Sequence, residues 1–193
     1  MDICTLILAG GKSSRMNGNN KAFLEYNNKT FIENIINELD EFNKIYISVD
    51  NKDKYENLRY TLIEDEYKEI GPIGGIYSSL KHIDYNYIFV VACDMPKVNK
   101  EFVKFLLSNL KKDDKCLIVK DCNNKVYPLG GIYSKNVLPI IEKMIEEKDY
   151  KLQNLVKRCN GRILSLKDVS FDETCLINVN NPQEYKKLKE DFR

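Results

Sequence analysis

Glycines and cations follow the first apolar segment of the chain, Ile3 to Leu8. From Ala9 to Ala22 the sequence has three cationic side chains and no acidic one, and Gly10 and Gly11 lie near its start. Paired glycines let a backbone turn sharply and bring its N–H groups close to an anion. The whole protein has a formal net charge of only +1, so this excess is local. The segment predicts a phosphate-binding loop whose cations are Lys12, Arg15 and Lys21, with a solvated turn as the alternative.

An aspartate follows a later apolar segment, Tyr87 to Cys93. Such a segment is typical of a central strand that is buried on both faces. Ligands of open α/β sheets gather at the carboxyl ends of such strands, where the strand order reverses. A carboxylate oxygen there suits Mg²⁺, which binds through few carboxylates together with phosphates and water. We therefore expect Asp94 to face the first loop, with a turn or helix-cap aspartate as the alternative.

Short apolar segments alternate with amphipathic ones along the chain, which favours strand, helix, strand units and a mostly parallel sheet. The expected strands are Ile3 to Leu8, Ile45 to Val49, Tyr60 to Ile63, Tyr87 to Cys93, Lys115 to Val119, Ile163 to Leu166 and Cys175 to Val179. Thr30 and Glu33 have the spacing of a capping box and predict a helix that extends to Leu39. Asn181 and Pro182 predict the start of the last helix.

The segment Lys120 to Tyr133 combines a proline with two glycines, and we expect a turn or a small ribbon over one edge of the sheet. The sequence shows no repeat or linker. With 193 residues, 43% of them hydrophobic, it predicts one α/β domain over residues 1–193.

Composition excludes several classes of function. The near-zero net charge offers no general attraction for nucleic acid or an anionic membrane. The longest apolar segments have seven residues, far fewer than the roughly 20 that span a bilayer, and no secretory signal is evident. Most of the six scattered cysteines lie in apolar segments, which predicts buried thiols, and the single His82 excludes a multi-histidine zinc site. A cytoplasmic protein is expected.

Several motifs occur together in one order. They are Leu8-Ala9-Gly10-Gly11-Lys12-Ser13-Ser14-Arg15-Met16 with Lys21 beyond it, Ile63-Glu64-Asp65, Gly71-Pro72-Ile73-Gly74-Gly75, Cys93-Asp94-Met95-Pro96, Tyr127-Pro128-Leu129 and Asn178-Val179-Asn180-Asn181-Pro182. This set resembles the molybdenum cofactor guanylyltransferases, within the nucleotidyltransferases of Rossmann-like fold. Two positions differ from the family pattern: Asn17 stands where glycine is frequent, and Asn20 where an acidic residue commonly precedes the lysine.

The resemblance implies a three-layer α/β/α Rossmann-like nucleotidyltransferase fold with a mostly parallel sheet. It implies an enzyme that transfers GMP from GTP to the terminal phosphate of molybdopterin and releases pyrophosphate. The implied catalytic residues are Arg15, Lys21 and Asp94, with Mg²⁺ on Asp94. The implied nucleotide-binding residues are Leu8, Ala9, Gly10, Gly11, Lys21, Asp65, Gly71, Pro72 and Asp94, and those for the acceptor are Arg158, Asn178 and Asn180. Transient contact with molybdoenzymes or their chaperones is also expected.

The residues alone say less about which base and which acceptor the protein uses. Asp65 could accept two hydrogen bonds from the N1–H and N2–H₂ edge of guanine, which cytosine does not offer. For Arg158, a solvated or helix-capping cation is an equal alternative. A transferase with another base or acceptor, such as a molybdopterin cytidylyltransferase or a sugar-phosphate nucleotidylyltransferase, stays open. So does a non-catalytic protein that carries the finished cofactor.

Overall fold

A computed structural model of the chain describes residues 2–10, 20–40, 44–167, 169 and 172–190. Its strands are β1 (Ile3–Leu8), β2 (Glu25–Tyr26), β3 (Lys29–Thr30), β4 (Ile45–Val49), β5 (Thr61–Glu64), β6 (Tyr87–Ala92), β7 (Cys116–Lys120), β8 (Val126–Ser134) and β9 (Arg162–Ser165). Its α-helices are α1 (Phe31–Leu39), α2 (Pro72–His82), α3 (Lys100–Asn109), α4 (Leu138–Glu146), α5 (Leu152–Arg158) and α6 (Pro182–Glu190). In the described part of the chain, no helix has both the length and the apolar character that crossing a membrane requires.

Seven strands form one sheet in the order β5-β4-β1-β6-β8-β7-β9, and β2 and β3 form a separate hairpin. β1 pairs in parallel with both β4 and β6, and β4 pairs in parallel with β5. β7 and β9 are also parallel, whereas β8 is antiparallel to β6 and β7. The chain visits β4 and β5 on one side of β1 before it returns to β6 on the other side. The strand order therefore reverses between β1 and β6, where a parallel sheet opens a crevice for ligands.

Helices cover both faces of this sheet. Successive side chains of a strand point to opposite faces. Ile3 and Ile7 of β1 accordingly pack in one core with α1 and α3, whereas Cys4, Leu6 and Leu8 pack in a second core with α2, α4 and α5. The predicted three-layer α/β/α fold with a mostly parallel sheet is confirmed.

The local signals in the sequence set most element boundaries. Six of the seven predicted strands lie within one residue of those observed. The hydroxyl of Thr30 accepts from the N–H of Glu33, whose carboxylate accepts from the N–H of Thr30 at 2.7 Å, so the predicted capping box is confirmed. Asn181 Oδ1 accepts from the N–H of Glu184 at 2.9 Å, and α6 begins at Pro182 as expected.

The strand predicted over Cys175 to Val179 is wrong. The carboxylate of Asp172 accepts from the N–H of Thr174, and this cap starts a short 3₁₀ turn, Glu173–Leu176. Cys175, Leu176 and Val179 are nevertheless buried, which explains the apolar pattern. These apolar residues belong to an irregular segment that covers the core.

The ribbon predicted over Lys120 to Tyr133 is also wrong, because β8 lies inside the sheet between β6 and β7. Proline and glycine ordinarily argue against a central strand. The paired residues of β8 exclude positions 128–130, and the register shifts opposite Leu117 and Val119. Pro128 therefore occupies an irregular part of the strand where its missing N–H costs no ladder hydrogen bond.

Candidate active site

The crevice between β1 and β6 holds a cavity of about 210 Å³. Ala9 and Gly10, which follow β1, form one part of its wall, and Cys93 and Asp94, which follow β6, form another. Lys21 also lines it. The topology thus brings together residues from two segments that are far apart in the sequence.

Lys21 and Asp94 meet in this cavity. Lys21 Nζ donates to Asp94 Oδ2 at 2.9 Å and to Asn180 Oδ1 at 2.9 Å. Both side chains of the ion pair are mostly buried, with 17% and 14% of their surface exposed. Asn178 Nδ2 donates to the other carboxylate oxygen of Asp94 at 3.1 Å. A cation, a carboxylate and two amides therefore form one connected cluster.

A single backbone hydrogen bond places the two asparagines. The N–H of Val179 donates to the carbonyl oxygen of Asp94 at 2.8 Å, and Val179 itself is buried. Asn178 and Asn180 flank this anchored residue, so each side chain reaches the Lys21–Asp94 pair. They lie in an irregular segment, so this contact, and not the alternation of a strand, accounts for their shared side.

Asp65 lies beside the end of β1 and is half-buried. Ser48 Oγ donates to Asp65 Oδ1 at 2.7 Å. A Cβ on Gly10 would stand 3.4 Å from Asp65 Oδ2 and 2.9 Å from the backbone N of Asp50, so glycine permits this close approach. Burial raises the pKa of Asp65 to about 6, although the hydrogen bond from Ser48 acts in the opposite direction.

The first turn of α2 completes the wall of the cavity. Gly71 has a φ of +76°, a left-handed conformation that glycine adopts without strain, and Pro72 occupies the first helical position. Both residues line the cavity. The dipole at this helix end favours an anion.

A thiol also lines the cavity but does not supply a nucleophile. Burial raises the pKa of Cys93 to about 12, so its sulfur is protonated at neutral pH.

A second, larger cavity of about 540 Å³ lies next to the first. Its wall includes Tyr127 of β8, Glu184 of α6, and Asn178 and Asn180 from the cluster. Leu129 lines both cavities. One ligand in each cavity would therefore be separated by little more than this side chain and the cluster.

Other predicted site residues lie elsewhere. The guanidinium of Arg158 binds the carboxylates of Glu147 and Asp149, the latter at 2.8 Å, and Arg158 is not among the residues that line either cavity. Its role in acceptor binding stays a prediction. Gly11, Lys12 and Arg15 lie outside the described residues.

Three residues that support the site were not among those predicted from the sequence. Ser48 carries a signal, because it is a polar residue within the otherwise apolar segment Ile45 to Val49. Tyr55 belongs to no motif, and Asn20 was noted only as a departure from the family pattern. Asn20 lines the first cavity, and its amide donates to the hydroxyl of Tyr55 at 2.8 Å.

The fold has a close counterpart among solved structures. The crystal structure of molybdopterin-guanine dinucleotide biosynthesis protein A from Archaeoglobus fulgidus matches with a TM-score of 0.84 over 97% of each chain, at 23% identity. At this identity the likeness shows the fold. The chain thus has the fold of the α/β nucleotidyltransferases.

Sequence comparison then gives the family. The family described as MobA-like NTP transferase domain matches residues 5–169, and the chain belongs to it. A probable molybdenum cofactor guanylyltransferase of Clostridium perfringens is 44% identical over 79% of this chain and 75% of its own length. A molybdenum cofactor guanylyltransferase of Vibrio parahaemolyticus is 34% identical over 93% of this chain and 91% of its own.

Proposed function

We propose that this protein transfers GMP from GTP to the terminal phosphate of molybdopterin and releases pyrophosphate, forming the guanine dinucleotide cofactor. The relatives that match most of the chain support this activity. Among the structural observations, the one that carries the proposal is the contact of Lys21 with Asp94 at 2.9 Å across the crevice between β1 and β6. A cation and a carboxylate at that position suit a triphosphate and its metal.

The donor set fits Mg²⁺. Asp94 Oδ2 and Asn180 Oδ1 are both 2.9 Å from Lys21 Nζ, so two hard oxygen atoms already converge on one cationic group. Among the described residues, no three or more His, Cys, Asp or Glu side chains gather as a metal site. This suits an ion held by one carboxylate together with phosphates and water. Asp94 would hold the metal, which would neutralise phosphate charge.

The transfer itself needs no covalent intermediate with the protein. An oxygen of the acceptor phosphate forms a bond to the α-phosphorus as the bond from that phosphorus to the β-phosphate bridging oxygen breaks, and pyrophosphate leaves with that electron pair. Lys21 compensates the negative charge of the phosphates, and the N-terminus of α2 faces the same cavity. The protein thus contributes by orienting the two substrates and by supplying positive charge.

Guanine selection is assigned to Asp65. Its Oδ1 is held by Ser48, and its Oδ2 lies near the bare backbone at Gly10. A desolvated carboxylate can accept from both N–H groups on the guanine edge, and a base that lacks them leaves it unpaired. Asp65 thereby favours GTP over CTP.

The larger cavity is assigned to molybdopterin. It shares Asn178 and Asn180 with the cluster around Asp94. An acceptor phosphate placed there lies beside the first cavity, which holds GTP in this proposal and is called the donor cavity below. Tyr127 lies on the same wall, with Lys125 Nζ 4.7 Å from the centre of its ring. Contact with molybdoenzymes and a cytoplasmic location stay predictions.

The decisive experiment measures pyrophosphate release. The purified protein is incubated with Mg²⁺, molybdopterin and each of the four nucleoside triphosphates in turn. We expect release with GTP that depends on molybdopterin, and much less with CTP, ATP or UTP. Release only with CTP or with a sugar phosphate would indicate the alternative transferases. Tight GTP binding without release under any condition would favour a cofactor carrier.

A further inference from the structure

The buried hydroxyl of Tyr55 joins two parts of the active site. Tyr55 ends a short 3₁₀ turn, Lys52–Tyr55, and only 2% of its surface is exposed. Its hydroxyl donates to the carbonyl oxygen of Ala9 at 2.6 Å and accepts from Asn20 Nδ2 at 2.8 Å. Ala9 and Asn20 lie on the two sides of residues 11–19, and both line the donor cavity. Tyr55 is not among the residues that line it.

The donor and the acceptor of each of these hydrogen bonds can be assigned. The N–H of Ala22 can only donate, and it lies 3.0 Å from Asn20 Oδ1. The amide nitrogen of Asn20 must then face Tyr55 and donate to it. The phenolic proton is left for the carbonyl oxygen of Ala9, which can only accept. Burial raises the pKa of Tyr55, so the proton stays in place at physiological pH.

These hydrogen bonds also bear on the position of Lys21. Asn20 caps the short 3₁₀ turn Lys21–Phe23, and the ring of Phe23 packs on that of Tyr55 with centroids 5.4 Å apart. Asn20 is thus fixed at its amide oxygen and at its amide nitrogen, and the next residue is the one that contacts Asp94. If the buried hydroxyl of Tyr55 lost these partners, its desolvation would cost free energy. The hydrogen-bonded arrangement is therefore favoured.

We infer that Tyr55 is a positioning residue for the transfer reaction, because it holds Asn20 and therefore Lys21 at a fixed distance from the end of β1. This inference rests on the proposed function, in which Lys21 contacts the phosphates of the donor. Tyr55 touches neither substrate. Its removal should reduce turnover more than it reduces GTP binding.

The test compares Tyr55→Phe with Tyr87→Phe. The hydroxyl of Tyr87 also donates to a backbone carbonyl oxygen, that of Lys112, at 2.6 Å, but Tyr87 begins β6 and so lies at the end of the strand opposite Asp94. Both variants lose a hydrogen bond to a backbone carbonyl oxygen, and Tyr55→Phe also loses the one from Asn20, so we expect both to lower Tm and Tyr55→Phe to lower it more. Only Tyr55→Phe should lower kcat for pyrophosphate release, on the order of tenfold, with KM for GTP changed by less than about threefold.

Two further measurements separate the possible outcomes. In a double-mutant cycle with Asn20→Ala, the two losses in kcat should not add, because both variants break the hydrogen bond between Asn20 and Tyr55. A crystal structure of Tyr55→Phe should show Lys21 Nζ displaced from Asp94, whereas Tyr87→Phe keeps the contact. Equal kcat for the two tyrosine variants, additive losses, or an unchanged Lys21 position would overturn the inference. If the wild-type protein releases no pyrophosphate, the proposed function fails, and the crystal structures still test the position of Lys21.

Discussion

At the scale of single residues, Lys21 can be compared with another lysine of the same chain. Lys81 pairs with Glu66 at 2.8 Å, almost the same distance as Lys21 to Asp94, but it is more exposed, at 38% against 17%. An exposed pair contributes little because water screens it. A cation in contact with phosphate at an effective dielectric near 20 contributes about 4 kcal/mol, or roughly 10³-fold in rate.

We therefore expect Lys21→Met to lower kcat/KM for GTP by about 10³-fold, and Lys81→Met to leave it within about twofold. Steady-state kinetics of pyrophosphate release measures both variants. Similar values for the two would show that Lys21 does not contact the triphosphate.

The raised pKa of Asp65 predicts that kcat/KM for GTP depends on pH. Its pKa is raised to about 6 by burial, and only the ionised carboxylate accepts two hydrogen bonds from guanine. We expect kcat/KM for GTP to rise as pH increases through about 6 and then to level off. Asp65→Asn should remove this rise and reduce the preference for GTP over CTP. An unchanged pH profile, or full selectivity in the variant, would contradict the assignment.

The raised pKa of Asp65 also determines how this residue changes the free energy of unfolding with pH. A carboxyl whose pKa is raised from 3.8 to about 6 binds its proton more tightly in the folded state than in the unfolded one. Its contribution to the free energy of unfolding is complete below pH 3.8 and is lost as the pH rises through about 6. The site thus gives up some stability at neutral pH for an ionised, desolvated carboxylate.

At the scale of elements, α2 must approach the preceding loop closely. A Cβ on Gly74 would stand 2.6 Å from the backbone oxygen of Tyr67, which is nearer than real Cβ atoms come. Ala has the higher helix propensity by about 1 kcal/mol, but the clash with backbone outweighs it. We expect Gly74→Ala to lower the free energy of unfolding by about 1–3 kcal/mol in urea denaturation.

Ser79 gives a control within the same helix. Its hydroxyl is buried and has no hydrogen-bond partner within the described structure, so Ser79→Ala removes no visible interaction. That variant should be neutral or slightly more stable. If Gly74→Ala proves as stable as Ser79→Ala, then α2 does not depend on this close approach.

At the scale of the whole molecule, ligand binding should raise thermal stability. The donor cavity is formed by segments after β1 and β6 together with the start of α2, so a bound nucleotide stabilises the sheet and one helical layer together. GTP at about 100 times its Kd adds about 2.7 kcal/mol, which for a chain of this size corresponds to about 5–10 °C in Tm. Differential scanning fluorimetry with Mg²⁺ should show this increase for GTP and a smaller one for CTP. No shift with any nucleoside triphosphate would contradict nucleotide binding at this site.

The sequence alone determined an α/β domain with a mostly parallel sheet, six strands to within one residue, and the starts of α1 and α6. These features depend on local signals, namely apolar periodicity, a capping box and an Asn-Pro helix start, which act over a few residues. The tertiary structure decided the place of β8, because an irregular Pro128 is tolerated only where the ladder of the neighbouring strands is interrupted. It also decided the irregular path of residues 177–180, where Val179 bonds to Asp94.

The active site, too, was only partly predictable from the sequence. Lys21 and Asp94 were predicted as candidates because glycine-rich loops and strand-end carboxylates are signals of type and spacing. Their contact, and the support that Ser48 and Tyr55 give, depend on residues that the chain brings together over long separations, as with Tyr55 and Ala9. Composition and periodicity carry no information about which buried hydroxyl faces which carbonyl oxygen, since that depends on the packing of the complete fold.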